Sequence, residues 1–314
     1  MQLTSIPANP VPEGASVGTV KTADGVVLRY ARFEAPAGRK GTVCVFPGRA
    51  EFIEKYFEVV RDARARGFAV AILDWRGQGL SERALPNARK GHVYEFSQYD
   101  ADLEAFVKEV VLPDCPPPHF ALGHSMGAAV LIRSAYHGRR WFDRIVLSGP
   151  MIGLSGAAGS RFARASTRFM RLMGLGNSYV PGGGGTAINT LPFPGNNLTS
   201  DPVRYARTVA ILEAEPSLGI GAPTVAWLEA AFKAMSEFAD PAYPGRMRQP
   251  LLLVAAGQDR VVSTPAIGAF ATRLRAGSHL VIPGARHEIL MEQDRYREQF
   301  WAAFDAFVTG SPLY

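Results

Sequence analysis

A serine bracketed by glycines stands at Gly123-His124-Ser125-Met126-Gly127. It follows the apolar run Phe120-Ala121-Leu122 and precedes a helix-compatible stretch, Ala128–Ala135. This strand–turn–helix setting is what a nucleophile elbow requires, because the turn is too sharp for a Cβ near the serine and projects the hydroxyl from a sheet edge. The same turn leaves the Met126 amide at a helix start, where it can donate to an oxyanion. A hydroxyl at its free pKa is a poor nucleophile. It needs a base, and the base needs an orienting carboxylate.

On such an elbow the acid and then the base follow the serine in chain order. Of the six histidines, His92 and His119 precede Ser125, His124 lies inside the elbow and must point away from its neighbour, and His137 comes one helix later. His279 begins an alternating strand, Ser278–Ile282, which accounts for it structurally. His287, in Pro283-Gly284-Ala285-Arg286-His287-Glu288, follows that strand in a loop and is the expected base. Asp259, in Ala255-Ala256-Gly257-Gln258-Asp259-Arg260, ends an apolar strand and is the expected acid. Glu288 is poorly placed to hold the far nitrogen of its neighbour and suits a solvated or capping role. Asp74 precedes Ser125 and suits a turn-stabilising role. A second oxyanion donor should come from the loop Phe46-Pro47-Gly48-Arg49-Ala50-Glu51, and the Arg49 amide, after the glycine, is the expected one. Two readings of the Arg49 side chain stay open: facing substrate, or pairing with Glu51 or Glu54.

These groups need a scaffold. β-Branched apolar runs recur at Val26–Phe33, Thr42–Phe46, Ala69–Leu73, Phe120–Gly123, Ile145–Ser148, Leu251–Ala255 and His279–Ile282. Helical periodicity lies between most of them, at Glu51–Arg66, Gln98–Val111, Met126–His137, Thr264–Arg275 and Asp294–Val308. Parallel strands need crossovers, normally helices, so the expected class is α/β with a mostly parallel central sheet flanked by helices. The alternation stops after Pro150. Helices Ser160–Met173, Pro202–Ala214 and Pro223–Phe238 then predict a helical cap over the carboxyl edge of the sheet. The expected organisation is a first core part, 1–150, a cap, 151–248, and a second core part, 249–314. The run Pro181-Gly182-Gly183-Gly184-Gly185 follows no strand and precedes no Gly-Lys-Ser/Thr, so it reads as a flexible loop rather than a phosphate cradle.

Composition bounds the rest. With 314 residues, 47% hydrophobic and 20% charged, the chain is an ordinary globular protein, either one large domain with an insertion or two domains. Two cysteines exclude a disulfide scaffold and four-cysteine zinc sites. A net charge of +6 comes with no zinc finger, aromatic RNA-binding signature or basic arm, so no nucleic-acid partner is expected. No signal peptide or membrane anchor is visible near the start, which makes a cytoplasmic location the default expectation.

Taken together, Pro47-Gly48-Arg49-Ala50-Glu51 with Lys55-Tyr56, Asp74-Trp75-Arg76-Gly77-Gln78-Gly79-Leu80-Ser81 and the Ser125 elbow resemble the lysophospholipase L2 and monoacylglycerol lipase-like branch of the α/β-hydrolases. The resemblance covers roughly Val26–Gly149 and Gln249–Val308 and is weak in the cap. Pro47 stands where the broad lipase family has a histidine, as in the bacterial branch. The resemblance implies a metal-independent, cofactor-free serine hydrolase that cleaves a lipid-like monoacyl ester through an acyl-enzyme, with Ser125, His287 and Asp259 as its triad. A serine aminopeptidase with the same triad, using cap glutamates Glu213, Glu215, Glu229 and Glu237, is the alternative within enzymes. A catalytically silent binding protein is the alternative outside them. In the cap, Arg161, Arg164, Arg168 and Arg171 repeat at helical steps while Phe162, Phe169, Leu172 and Met173 gather toward another side. This pattern fits either a solvated basic face or weak, reversible contact with the inner membrane face.

Overall fold

The structure is a computed structural model and describes residues 2–36 and 40–309. Eight strands form one sheet: β1 Ala15–Lys21, β2 Val27–Phe33, β3 Thr42–Phe46, β4 Ala69–Leu73, β5 His119–His124, β6 Arg144–Ser148, β7 Leu251–Ala256 and β8 Gly277–Ile282. Their order is β1-β2-β4-β3-β5-β6-β7-β8, with β1 and β2 antiparallel to their neighbours and the rest parallel. The fold is therefore that of the α/β-hydrolases, as expected. β3, β4, β5 and β7 are buried along their whole length, which is why they read as continuous apolar runs. Alternate residues feed opposite cores. Cys44, Phe46, Ala121 and Leu253 face one side of the sheet, whereas Val43, Val45, Leu122 and Val254 face the other.

β1 was not anticipated, because Gly18 interrupts its alternation. A Cβ there would lie 2.5 Å from the Tyr30 hydroxyl on β2, so the glycine leaves room for the Tyr30 ring to lie across the strand opposite it. The helix expected over Glu51–Arg66 is also shorter. An extended segment and a 3-10 turn, Ile53–Tyr56, precede the helix Phe57–Ala65, because Asp74 Oδ1 captures the Ile53 amide at 3.0 Å. Asp74 further accepts from the Leu80 amide and, through Oδ2, from buried Arg29, and so stabilises its turn.

Between β6 and β7 lie the helices Arg161–Leu172, Pro202–Ala214 and Val225–Phe238. Val225–Phe238 contributes Trp227, Phe232 and Met235 to the same core cluster as one face of the sheet. Arg161–Leu172 packs against it with an unusual polarity. Arg164 turns inward to the Ser236 hydroxyl at 2.9 Å, and Arg171 to Glu229 at 3.1 Å. Phe162, Phe169, Leu172 and Met173 instead point outward, 82, 63, 77 and 63% exposed. A solvated basic face over a buried apolar one is thus not what forms, because two of the four arginines are the inward contacts. The glycine run is an exposed loop, as expected, tethered at one point to the connector before Val225–Phe238. The Ala222 amide donates to the Gly184 carbonyl at 2.9 Å, and a Cβ on Gly221 would sit 2.2 Å from that oxygen.

Candidate active site

Ser125 joins β5 to the helix Met126–Tyr136 with φ 49° and ψ −108°. A non-glycine residue holds this left-handed geometry only where its surroundings enforce it. Here the Ser125 amide donates to Ser148 O at 3.0 Å, and its carbonyl accepts from Ala129 and Met151. The flanking glycines are obligatory: a Cβ on Gly123 would lie 2.6 Å from Leu131 Cδ1, and one on Gly127 would lie 2.2 Å from the Phe46 carbonyl.

His287 Nε2 is 3.0 Å from Ser125 Oγ, and His287 Nδ1 is 2.8 Å from Asp259 Oδ2. The three expected residues follow β5, β7 and β8 and meet at the carboxyl edge. Asp259 Oδ1 accepts the Val261 and Val262 amides at 2.8 and 2.9 Å. Burial pushes the Asp259 carboxyl up, but the adjacent imidazole and these amides outweigh it and hold it below the usual carboxylate range. An ionised Asp259 can only accept, so Nδ1 carries the proton and Nε2 is left to accept from the Ser125 hydroxyl.

The loop after β3 is pinned from several sides. Gln78 Nε2 donates to the Gly48 carbonyl at 2.7 Å, and Trp75 Nε1 donates to that of Pro47 at 2.8 Å. In a trans peptide the Arg49 N–H points opposite the Gly48 C=O, hence away from Gln78. Neither the Arg49 nor the Met126 amide has a partner among the described residues. Both are available for a developing oxyanion. The Arg49 side chain pairs with neither Glu51 nor Glu54. It donates from Nη2 to the Gly221 carbonyl at 2.7 Å and lies 5.1 Å from the centre of the Trp227 ring.

Behind the site lies a buried polar network that sequence reasoning did not assemble. Glu51 Oε2 accepts from the Gly48 amide, from Tyr56 OH at 2.6 Å and from His124 Nδ1 at 3.0 Å, while Glu51 Oε1 meets Lys55 Nζ at 2.9 Å. Lys55 Nζ also reaches Glu288 Oε1 at 2.6 Å, so Glu288 is a buried ion-pair partner rather than a solvated or capping residue. His124 Nε2 is 3.4 Å from the His287 carbonyl oxygen. Both His124 nitrogens therefore face acceptors. Burial opposes its charge, but Glu51 prevails and raises its pKa. Burial likewise opposes the Glu51 charge, and His124 and Lys55 hold that carboxyl well below the usual range. One network thus ties the Gly48 loop to the His287 loop. Its signal was in the sequence, as Glu51, Lys55 and Tyr56 on one short stretch, but the partners lie far along the chain.

Among the described residues, no group of three or more His, Cys, Asp or Glu side chains could hold a metal ion. The cap glutamates do not converge: Glu229 pairs with Arg171, Glu237 with Arg133, and Glu215 accepts from Ser217.

The chain is 33% identical to lysophospholipase L2 of Escherichia coli (strain K12) over 286 residues, covering 87% of this chain and 82% of that protein. It is 26% identical to a monoacylglycerol lipase of Mycolicibacterium smegmatis, covering 86% and 89% of the two chains. Among solved structures, a soluble variant of Saccharomyces cerevisiae monoglyceride lipase in complex with a substrate analog superposes with TM-score 0.73 at 19% identity, covering 94% of each chain. A thermostable carboxyl esterase of Bacillus coagulans superposes with TM-score 0.75 at 20% identity, covering 95% and 99% of the two chains. Residues 37–294 match the family described as "Serine aminopeptidase, S33", and with that span the chain belongs to this family of the α/β-hydrolases.

Proposed function

We propose that the protein is a serine ester hydrolase that cleaves lipid-like monoacyl esters, with Ser125 as nucleophile, His287 as general base and acid, and Asp259 as its orienting carboxylate. The observation that carries this reading is the unbroken chain from Ser125 Oγ through the imidazole to a carboxylate held ionised. His287 Nε2 takes the hydroxyl proton as Oγ attacks the acyl carbon. The oxyanion forms against the Arg49 and Met126 amides, and the same proton passes to the departing alcohol. Water, deprotonated in turn by His287, then attacks the acyl carbon of the acyl-enzyme, and the imidazole returns that proton to Ser125 Oγ as the acyl–Oγ bond breaks and the carboxylic acid leaves. Relatives named lysophospholipase and monoacylglycerol lipase support a lipid-like substrate.

The amide-hydrolase alternative is weaker here, since the cap glutamates are dispersed and form no site for a substrate ammonium. A silent binding protein has no use for a complete chain of three groups. The test is fluorophosphonate labelling followed by turnover of p-nitrophenyl esters, monoacylglycerol, lysophosphatidylcholine and aminoacyl-anilides. Labelling that vanishes in Ser125→Ala, with ester turnover dominant, is expected. Anilide turnover without ester cleavage overturns the reading.

A second reading rests on the outward apolar stripe of Arg161–Leu172. No helix among the described residues is long and apolar enough to cross a membrane. Phe162, Phe169, Leu172 and Met173 nonetheless form an exposed patch with Arg161 and Arg168 on the same side, a combination that suits the surface of an anionic bilayer. Binding to phosphatidylglycerol vesicles, weakened by salt and lost in Phe162→Ser/Phe169→Ser, is expected. Unchanged co-sedimentation, or self-association through this face in sedimentation velocity, rules it out.

A further inference from the structure

Three arginines of the core reach across to one connector of the cap. Arg83 Nη2 donates to the Ser217 carbonyl at 3.0 Å, Arg89 Nη1 to that of Gly219 at 3.2 Å, and Arg49 Nη2 to that of Gly221 at 2.7 Å. The donors thus take alternate carbonyls of the connector between the helices Pro202–Ala214 and Val225–Phe238. Among the described residues, none of the three guanidinium groups pairs with a carboxylate, whereas many of the other arginines do. Buried or half-buried positive charge is normally matched by negative charge, because main-chain dipoles offset only part of the desolvation cost.

Arg49 is the most exceptional of them. Its guanidinium lies between the Gly221 carbonyl and the Trp227 ring, and its Nε is buried with no partner among the described residues. Burial pushes its pKa down to about 10, and the nearest groups that counter this are the tyrosines Tyr99 and Tyr179, not acids. It stays charged at neutral pH and has no carboxylate counter-ion among the described residues. Its main chain, moreover, supplies the amide proposed to face the oxyanion.

We infer that the Arg49 guanidinium is a specificity-determining group that receives the phosphate of a lysophospholipid head group, so that this site favours phosphate-bearing monoacyl esters over neutral monoacylglycerols. The inference rests on the ester-hydrolase reading above and names its substrate class. The reach fits. From the Arg49 amide nitrogen to the guanidinium carbon runs a path of about six covalent bonds, and about six also separate the acyl carbon of a 1-acyl lysophospholipid from its phosphorus. A substrate whose carbonyl oxygen meets the amide therefore carries its phosphate to the level of the guanidinium. Nε keeps an unused donor among the described residues, and Nη2 beside it, which already donates one N–H to Gly221, has a second for the paired recognition of phosphate oxygens. Arg83 and Arg89, on the same seam, add positive potential without occupying the Arg49 Nε.

A purely mechanical role, in which Arg49 only fastens the cap to the core, makes a different prediction. The full-length enzyme and the variants Arg49→Ala and Arg49→Lys are compared on lysophosphatidylcholine and monoacylglycerol of one acyl chain, below their aggregation thresholds. Both variants keep the main-chain amide. Arg49→Ala is expected to lower the ratio of kcat/KM for the lysophospholipid to that for the monoacylglycerol by roughly 10- to 100-fold, the range of a hydrogen-bonded charge. Arg49→Lys, a charge without the planar fork, is expected to fall between. Glycerophosphocholine should inhibit the wild type competitively and lose that effect in Arg49→Ala. If both substrates decline by the same factor and glycerophosphocholine inhibition persists, Arg49 is a fastener and the inference is overturned. If the wild type hydrolyses neither ester, it is the ester-hydrolase reading that fails, which the wild-type data alone reveal.

Discussion

Replacing Glu51 with Gln tests whether the buried network positions the Gly48 loop. The substitution keeps the shape and removes one charge. Glu51 Oε2 accepts from Gly48, Tyr56 and His124, so the Gln oxygen must remain there, and its NH2 is forced toward Lys55 Nζ, donor against donor. His124 loses its counter-charge, and Lys55 keeps Glu288 alone. Removing one partner from a buried ion pair costs about 3–5 kcal/mol. With an unfolding entropy of about 2.1 cal/mol/K per residue over 314 residues, this lowers Tm by about 5–8 °C. The pH dependence has a definite sign. The Glu51 pKa is depressed in the folded state, so its contribution is present above the unfolded value, about 4.3, and is lost as pH falls through the folded one. The His124 pKa is raised from 6.5, so its contribution is full below that value and is lost as pH rises through the folded one. The Tm gap between wild type and Glu51→Gln should therefore be widest between about pH 4.5 and 6.5 and narrow on both sides. Thermal melts across this range, with p-nitrophenyl ester kinetics at each pH, check it; kcat should fall more than KM rises. A gap under about 1 °C that is flat with pH, with unchanged kcat, refutes the reasoning.

Asp259→Asn should leave the fold intact while lowering kcat about 10⁴-fold. The Asn oxygen must keep the Val261 and Val262 amides, which turns its NH2 toward His287 Nδ1 and imposes the tautomer with the proton on Nε2, facing Ser125; steady-state kinetics within tenfold of wild type would contradict this. Gly127→Ala places a Cβ 2.2 Å from the Phe46 carbonyl and 2.6 Å from that of Pro47, so the loop carrying Arg49 must move. A stability loss of about 1–3 kcal/mol in urea titration and a lower kcat are expected, and wild-type values for both would show that the loop gives way freely.

Much of the scaffold was legible locally. Buried parallel strands announce themselves as apolar runs, and the elbow by its Gly-x-Ser-x-Gly pattern between strand and helix, although only Gly123 answers to the adjoining helix while Gly127 answers to the Phe46 and Pro47 carbonyls of a distant strand and its loop. The chain order of acid and base narrowed six histidines to two and context favoured one, yet nothing local states that His287 lies 3.0 Å from a hydroxyl 162 positions earlier. β1 escaped notice because its glycine serves a tyrosine on the neighbouring strand.

By itself the sequence determined the fold class, the turn that can carry a nucleophile and the few residues able to serve it, since hydrophobic periodicity and the strand–turn–helix pattern around Ser125 are short-range properties. Tertiary structure alone decided which way the side chains of the cap helix face, that Arg49 reaches the cap instead of a neighbouring glutamate, and that Glu288 is buried against Lys55, 233 positions away. The physical reason is that a charged side chain takes the partner that burial brings to it, and burial is set by packing between segments that share no local signal.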